Sequence, residues 1–293
     1  MVDEPIERPE LKPPLTYEEQ LEKMKGRTLI VENADLAIEQ LKMRNYYRLT
    51  AYGLHLKKDD VFLPGTTFEQ IVRLYDFDAR LRNMLIPLLE DIEIAFRTHI
   101  SYLLANKYHD PLSYRDSRHF VNEEYHSKFL MELDNEIKRS KEIFATHHKK
   151  RYSGQFPIWV AVELMSFGNL SKLYGNMNSD DQKEIAEEHY SIPVDYVNSW
   201  LQTLTYVRNL CAHYSRLYNK TLTIKPALFK SDKKKFSNNR IFAAIFIIKR
   251  LTKDEASWRT FLSSLVGLIE TYGDVIDLDL IGFPENWFDL LNS

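Results

Sequence analysis

Apolar residues between Phe68 and about Tyr108 recur at steps of three and four: Ile71, Leu74, Tyr75, Leu81, Leu85, Leu88, Leu89 and Ile92. That period marks one face of a helix, and it predicts the longest helix of the chain. Thr67 stands where an N-cap belongs, and Pro87 predicts a kink or two abutting helices. Upstream, Thr16 with Glu19 forms a capping-box pattern, Asn33 can cap ADLAIEQLKMRN, and YYRLTAYGLHL follows almost without a break. Residues 59–65 predict a loop. Downstream, helices are expected over about 122–147, over PIWVAVELMSFG with Pro157 in the first turn, after Ser179 with Gln182 as a second capping box, and from Asp195 onward. Others open at Asn238 or Asn239 and run from Glu255 to Tyr272, and Pro284 begins a terminal turn. Trp159, Leu164 and Phe167 sit at helical spacing and are expected in the core. Only KTLTIKP, residues 220–226, alternates like a strand, and an extended connector explains it equally well. The expected class is all-α: an extended arm over 1–15, a small helical subdomain over 16–65 and a helical domain over 66–293.

Composition narrows the functions. Of 293 residues, 44% are hydrophobic, enough for a sizeable core. Only 9 are glycine, and neither GxGxxG nor GxxxxGK[ST] occurs, which argues against a βαβ nucleotide fold. The formal net charge is -3, so any nucleic-acid contact must come from local patches. The single cysteine, Cys211, excludes an internal disulfide and is expected to be a small buried residue. His147 and His148 lack partners at ligand spacing, so no metal site and no cofactor is expected. The acidic, proline-rich start does not resemble a signal peptide, and the run Ile241–Ile248 is too short to span a bilayer. A soluble, cytoplasmic protein with no membrane partner is the expectation.

The candidate chemistry lies in RNLCAHYSRLYNK, where Arg208, Asn209 and His213 fall at the end of a predicted helix. An arginine can hold a phosphate, an amide can orient it and an imidazole can move a proton near neutral pH. Those are the roles that metal-free RNA cleavage requires. On an ideal helix Arg208 and His213 lie about 140° apart, whereas Asn209 and His213 share a face. One histidine can serve as base or acid but not both at once, so two copies meeting in a homodimer would divide the work. Glu90, Glu93 and Arg97 share one face of the long helix. Glu93 can orient Arg208 or His213, or simply pair with Arg97. Arg216 and Asn219 follow the motif and can contact phosphate or cap the helix end.

Six segments carry a resemblance: KPPLTYEEQL, NYYRLTAYG, LYDFDARLRNMLIPLLEDIEIAFRTHIS, PIWVAVELMSFGNLSKLY, YVRNLCAHYSRLYNK and IGFPENW. With them the chain resembles the Abi-like family of bacterial phage-defence proteins, the AbiD/AbiF type. That family is similar to HEPN proteins, helical bundles whose R-x4-6-H motif forms a ribonuclease site between two units. The resemblance implies a HEPN-like bundle over 66–293 and a site at Arg208, Asn209 and His213. It also implies an RNA partner, such as a non-coding RNA encoded nearby. Tyr214 stands where family members often carry a second histidine.

Two basic stretches can track a phosphate backbone. Lys138, Arg139, Lys149, Lys150 and Arg151 belong to the first, and Lys233, Lys234, Lys235 and Arg240 to the second. Tyr152, Phe236 and the tyrosines of RNYYRLTAY can stack on bases, although buried packing is the ordinary role of such rings. The reading is an anti-phage, metal-independent endoribonuclease. Its rivals are a non-catalytic RNA-binding module and an antitoxin or scaffold that regulates another protein.

Overall fold

A computed structural model describes residues 11–293. The first ten positions of the expected arm lie outside the described residues, and Leu11–Leu15 carry no regular structure. Among the described residues the regular structure is helical apart from one two-stranded ribbon and two isolated bridges. Its contacts group into two compact units, one ending at Phe77 and the other running Asp78–Ser293.

In the first unit, α1 (Tyr17–Lys25) starts at the expected Thr16–Glu19 capping box, and α2 (Ala34–Met43) starts at Asn33. The two helices pack together, with Leu21, Met24, Ala37 and Leu41 buried. α3 (Tyr46–Thr50) runs into a 3-10 helix, Ala51–Leu56. The expected loop, 59–65, holds the turn and second strand of an antiparallel ribbon, β1 (Lys57–Lys58) with β2 (Val61–Phe62), in which Lys57 faces Phe62. Asp59 and Asp60, at φ 51 and 62, make its tight turn. Gly53 permits close packing there, because a Cβ would lie 3.0 Å from both Ile71 Cδ1 and Phe62 Cε1.

α4 (Phe68–Lys107) is capped by Thr67, whose Oγ1 accepts the Gln70 N–H. The helix runs unbroken through Pro87, so of the two expected outcomes the pair of abutting helices does not occur. Pro87 and Asn83 both face solvent, so the carbonyl deprived of its donor is on the wet side.

In the second unit, the single helix expected over 122–147 is two, α5 (Glu123–Arg139) and α6 (Ile143–Arg151). Lys149 Nζ donates to the Lys138 and Ser140 carbonyls at 3.2 and 2.8 Å, capping the end of α5. The predicted helix PIWVAVELMSFG also breaks. α7 (Ile158–Ala161) passes through a 3-10 turn, and α8 (Phe167–Asn176) begins afresh under a Ser166 cap. That break turns Trp159 to solvent and leaves Leu164 half-buried, whereas Phe167 is core.

Three predicted caps are replaced. α9 (Ser179–Tyr190) starts after Asn178, and Gln182 donates to the Gly175 and Met177 carbonyls instead of serving a capping box. α10 (Val194–Ala212) starts after Pro193, which puts Asp195 inside the first turn. α11 (Ile241–Leu251) starts after Arg240; Asn238 instead donates to the Pro226 carbonyl. α12 (Glu255–Tyr272) matches expectation, and α13 (Trp287–Asn292) follows the Pro284 turn.

α10 packs on α8, α9 and α11, and α5 packs on α8. Every residue from Ile241 to Ile248 is buried, as suits a helix apolar on all sides. α4 joins this core at Phe96, whose ring stacks on Tyr190 and meets Tyr174 edge-on. Beside it His99 stacks on His189 with ring centroids 3.6 Å apart. Residues 220–226 form no strand; the connector bends at Thr223 and Ile224 and is anchored by buried Leu222. Among the described residues no helix is long and apolar enough to cross a membrane.

Candidate active site at the end of α10

One face of α10 is core: Val197, Trp200, Leu204, Val207 and Cys211 are buried. The opposite face leaves Asn209 exposed and Arg208 half-buried. The helix stops at Ala212. His213 turns out of helical geometry at φ -96, ψ 16, and Tyr214 takes the left-handed φ of 56. The chain then wraps back, with Ser215 N–H on the Leu210 carbonyl at 2.8 Å and Tyr214 N–H on the Cys211 carbonyl at 3.1 Å. The turn presents both His213 and Tyr214 to solvent.

A tyrosine at positive φ needs outside support. Asp78 and Arg82 of α4 supply it, and both are buried. The Asp78 carboxylate accepts the Tyr218 N–H at 2.7 Å and the Leu217 N–H at 3.1 Å. Arg82 is ion-paired with Asp78 and donates to the Ser215 carbonyl at 3.2 Å. The pair pins the backbone two to five residues past His213. Sequence reasoning missed it, because an Asp-x3-Arg spacing resembles an ordinary surface ion pair.

Glu93, also on α4, is buried beneath two guanidinium groups. Its Oε1 lies 2.5 Å from Arg97 Nη2, and its Oε2 lies 3.7 Å from Arg208 Nε. Both expected pairings of Glu93 therefore exist at once. Arg97 donates in addition to the Met165 carbonyl at 2.6 Å and to the Val162 carbonyl. Both carbonyls lie at the break between α7 and α8, where Val162 also accepts the Met165 N–H. The broken helix thus fixes Arg97, Arg97 fixes Glu93, and Glu93 holds the Nε side of Arg208. The Arg208 side chain keeps 37% of its surface, so its terminal nitrogens remain reachable. One of them, Nη1, lies 3.4 Å from Asn209 Oδ1. Glu90 is exposed and outside this set.

The remaining predicted residues divide. Arg216 is half-buried next to the pinned backbone. Asn219 Oδ1 accepts from Arg240 Nη1 at 3.2 Å. Arg240 also packs against Gly282, where a Cβ would fall 2.5 Å from the arginine's own. Lys235 pairs with buried Asp232, and Arg139 pairs with Glu136. Lys138, Lys150, Arg151, Lys233 and Lys234 are exposed. Phe236 is buried against Phe242 and Phe246, so its ring has no face for a base. Tyr152 is half-exposed and stacks on His148. In the first unit Tyr47 is exposed and Tyr52 is core. Cys211 is buried as expected, and burial pushes its thiol up to about 12, so it is no nucleophile at neutral pH.

A carboxylate-held arginine beside an amide and an exposed imidazole can bind a phosphodiester and exchange protons with it. The family described as Abi-like protein matches residues 39–219, more than half of the chain, and the match takes in Asp78, Glu93, Arg97 and the whole Arg208–Asn219 segment. No curated protein and no solved structure matches the chain.

Proposed function

Because the chain belongs to the Abi-like protein family, we propose that it acts in abortive infection, as an RNA-binding, metal-independent endoribonuclease of the HEPN type. One observation carries this reading: the half-exposed Arg208 guanidinium, held by buried Glu93, stands five residues before the exposed His213 at a pinned helix end.

The reaction is an internal transesterification. The ribose 2′-oxygen attacks phosphorus, the P–O5′ bond breaks, and the products carry 2′,3′-cyclic phosphate and 5′-hydroxyl ends. His213 removes the 2′-hydroxyl proton, and His213 of the partner subunit protonates the departing 5′-oxygen. General acid–base help of this kind is worth about 10²–10⁴ in rate. Arg208 stabilises the charge growing on the phosphorane, and Asn209 orients the phosphate. The division of labour makes the active species a homodimer. Exposed Lys138, Lys150, Arg151, Lys233 and Lys234 supply backbone contacts to the RNA, in the cytoplasm where phage transcripts are made.

The test is the His213→Ala chain, assayed for RNA binding by fluorescence anisotropy and for cleavage by gel. Binding within about threefold of the parent, with cleavage abolished, is the expected result. Equal cleavage by parent and variant would refute the catalytic assignment. Binding without cleavage by the parent itself would leave a non-catalytic RNA-binding module.

A further inference from the structure

A cavity of about 420 Å³ opens between α5 and α8, within the size range of small-ligand sites. Its walls are aromatic: Phe120, Tyr125 and Phe129 line it. Two features give it polar direction. Ser171 of α8 is only 7% exposed, lines the cavity, and makes no side-chain hydrogen bond among the described residues. Gln202 of α10 reaches the same space with an exposed amide. Lys172 stands at the rim, 3.6 Å from Glu132 and well exposed.

The place of Gln202 matters most. Gln202 and Asn209 stand seven residues apart on α10, so they lie along one stripe of the helix, and His213 follows just beyond its end. Seven residues of helix put Gln202 about 10 Å from Asn209 along the axis. α8 runs alongside in the opposite direction: Gly168 abuts Thr205, and Gly175 abuts Asn198. The end of α8 near Met165 therefore borders the Arg208 group, while Ser171 borders the cavity.

We propose that this cavity is a nucleobase subsite for the RNA strand held at Arg208 and His213, a proposal that rests on the ribonuclease reading. It takes one unpaired base within about two nucleotides of the scissile phosphate on an extended strand. The base stacks on the ring of Tyr125, which lines the cavity and is exposed. The Ser171 hydroxyl, which can donate and accept, and the Gln202 amide meet the base edge. Lys172 meets the adjoining phosphate. The site therefore sets a base preference next to the cut.

The experiment uses the full chain, short RNAs of randomised sequence and the four ribonucleoside monophosphates. The variants are Gln202→Ala, Tyr125→Ala and Ser171→Leu; Tyr125 is 62% exposed, so its replacement spares the core. In one arm, 4-thiouridine RNA is photocrosslinked to the His213→Ala chain, which holds RNA without cutting it. In the other, base frequencies around each cut are counted for the parent and the three variants. Crosslinks within 120–129 or 171–176 are expected, together with a base preference beside the cut that falls about tenfold in the variants, the scale of one lost stack. RNA that is cut with an unchanged base profile, and crosslinks only elsewhere, overturns the subsite while the ribonuclease reading stands. RNA neither bound nor cut overturns both. Monophosphates that bind the cavity as tightly as RNA make it a free-nucleotide site and overturn the proposal.

Discussion

Replacing Asp78 by alanine removes the anchor of the backbone beyond His213. The carboxylate is fully buried and accepts the N–H groups of Leu217 and Tyr218. Its ion partner Arg82 is 3% exposed, so the variant leaves a guanidinium charge in the interior, still donating to the Ser215 carbonyl, without the carboxylate that balanced it. Breaking a buried pair from one side costs about 3–5 kcal/mol, and orphaned N–H groups contribute to the same penalty. All four tryptophans lie in the Asp78–Ser293 unit, so tryptophan fluorescence in urea reports that unit. The expected loss is about 3–5 kcal/mol for Asp78→Ala. Asp78→Asn keeps an oxygen acceptor and loses less, and it serves where the alanine chain does not fold. The double variant Asp78→Ala with Arg82→Met also removes the buried positive charge that Asp78 balanced and recovers part of the loss. A loss below about 1 kcal/mol for Asp78→Ala, or a double variant weaker than the single one, would refute the clamp.

Glu93→Ala frees the Nε side of Arg208 and should lower kcat about ten- to hundredfold with little change in KM; steady-state cleavage kinetics decide, and an unchanged kcat removes Glu93 from the site. His99 is lowered from 6.5 to about 4, mainly by burial and then by stacked His189 and nearby Lys253. The folded chain thus binds this proton less readily than the unfolded one, so stability is full above pH 6.5 and falls as pH drops toward about 4. After solvent screening the effect is on the order of 1 kcal/mol, and a His99→Gln chain whose stability follows the parent's pH curve would contradict it. The Cys211 thiol, pushed up to about 12 by burial, should resist Ellman's reagent in the native chain at pH 8 and react once in guanidinium; prompt native labelling would show an open site.

Much of this architecture is written in local pattern. The face of α4 and the caps at Thr16, Asn33 and Thr67 need only nearby residues, and periodicity and capping chemistry expose them. The Glu93, Arg97 and Arg208 set was legible as residue types, because its spacing put two of the three on one face. What the chain conceals is partnership across long separations. At the break before α8 the Val162 and Met165 carbonyls accept from Arg97, more than sixty residues earlier. The Asp78–Arg82 clamp acts on backbone about 140 residues away. Arg240 and Lys149 look like free cations in sequence, yet one meets Asn219 and the other caps α5. Trp159 departs from the core because the helix that would have buried it is interrupted.

The measurement that bears most directly on the central claim is the chemistry of the RNA ends. A defined RNA is incubated with the parent chain and with His213→Ala in EDTA, and the fragments are weighed by mass spectrometry. Full cutting by the parent, with 2′,3′-cyclic phosphate and 5′-hydroxyl ends and none by the variant, is the predicted result. Fragments with 3′-hydroxyl and 5′-phosphate ends, or cutting that stops in EDTA, would contradict it.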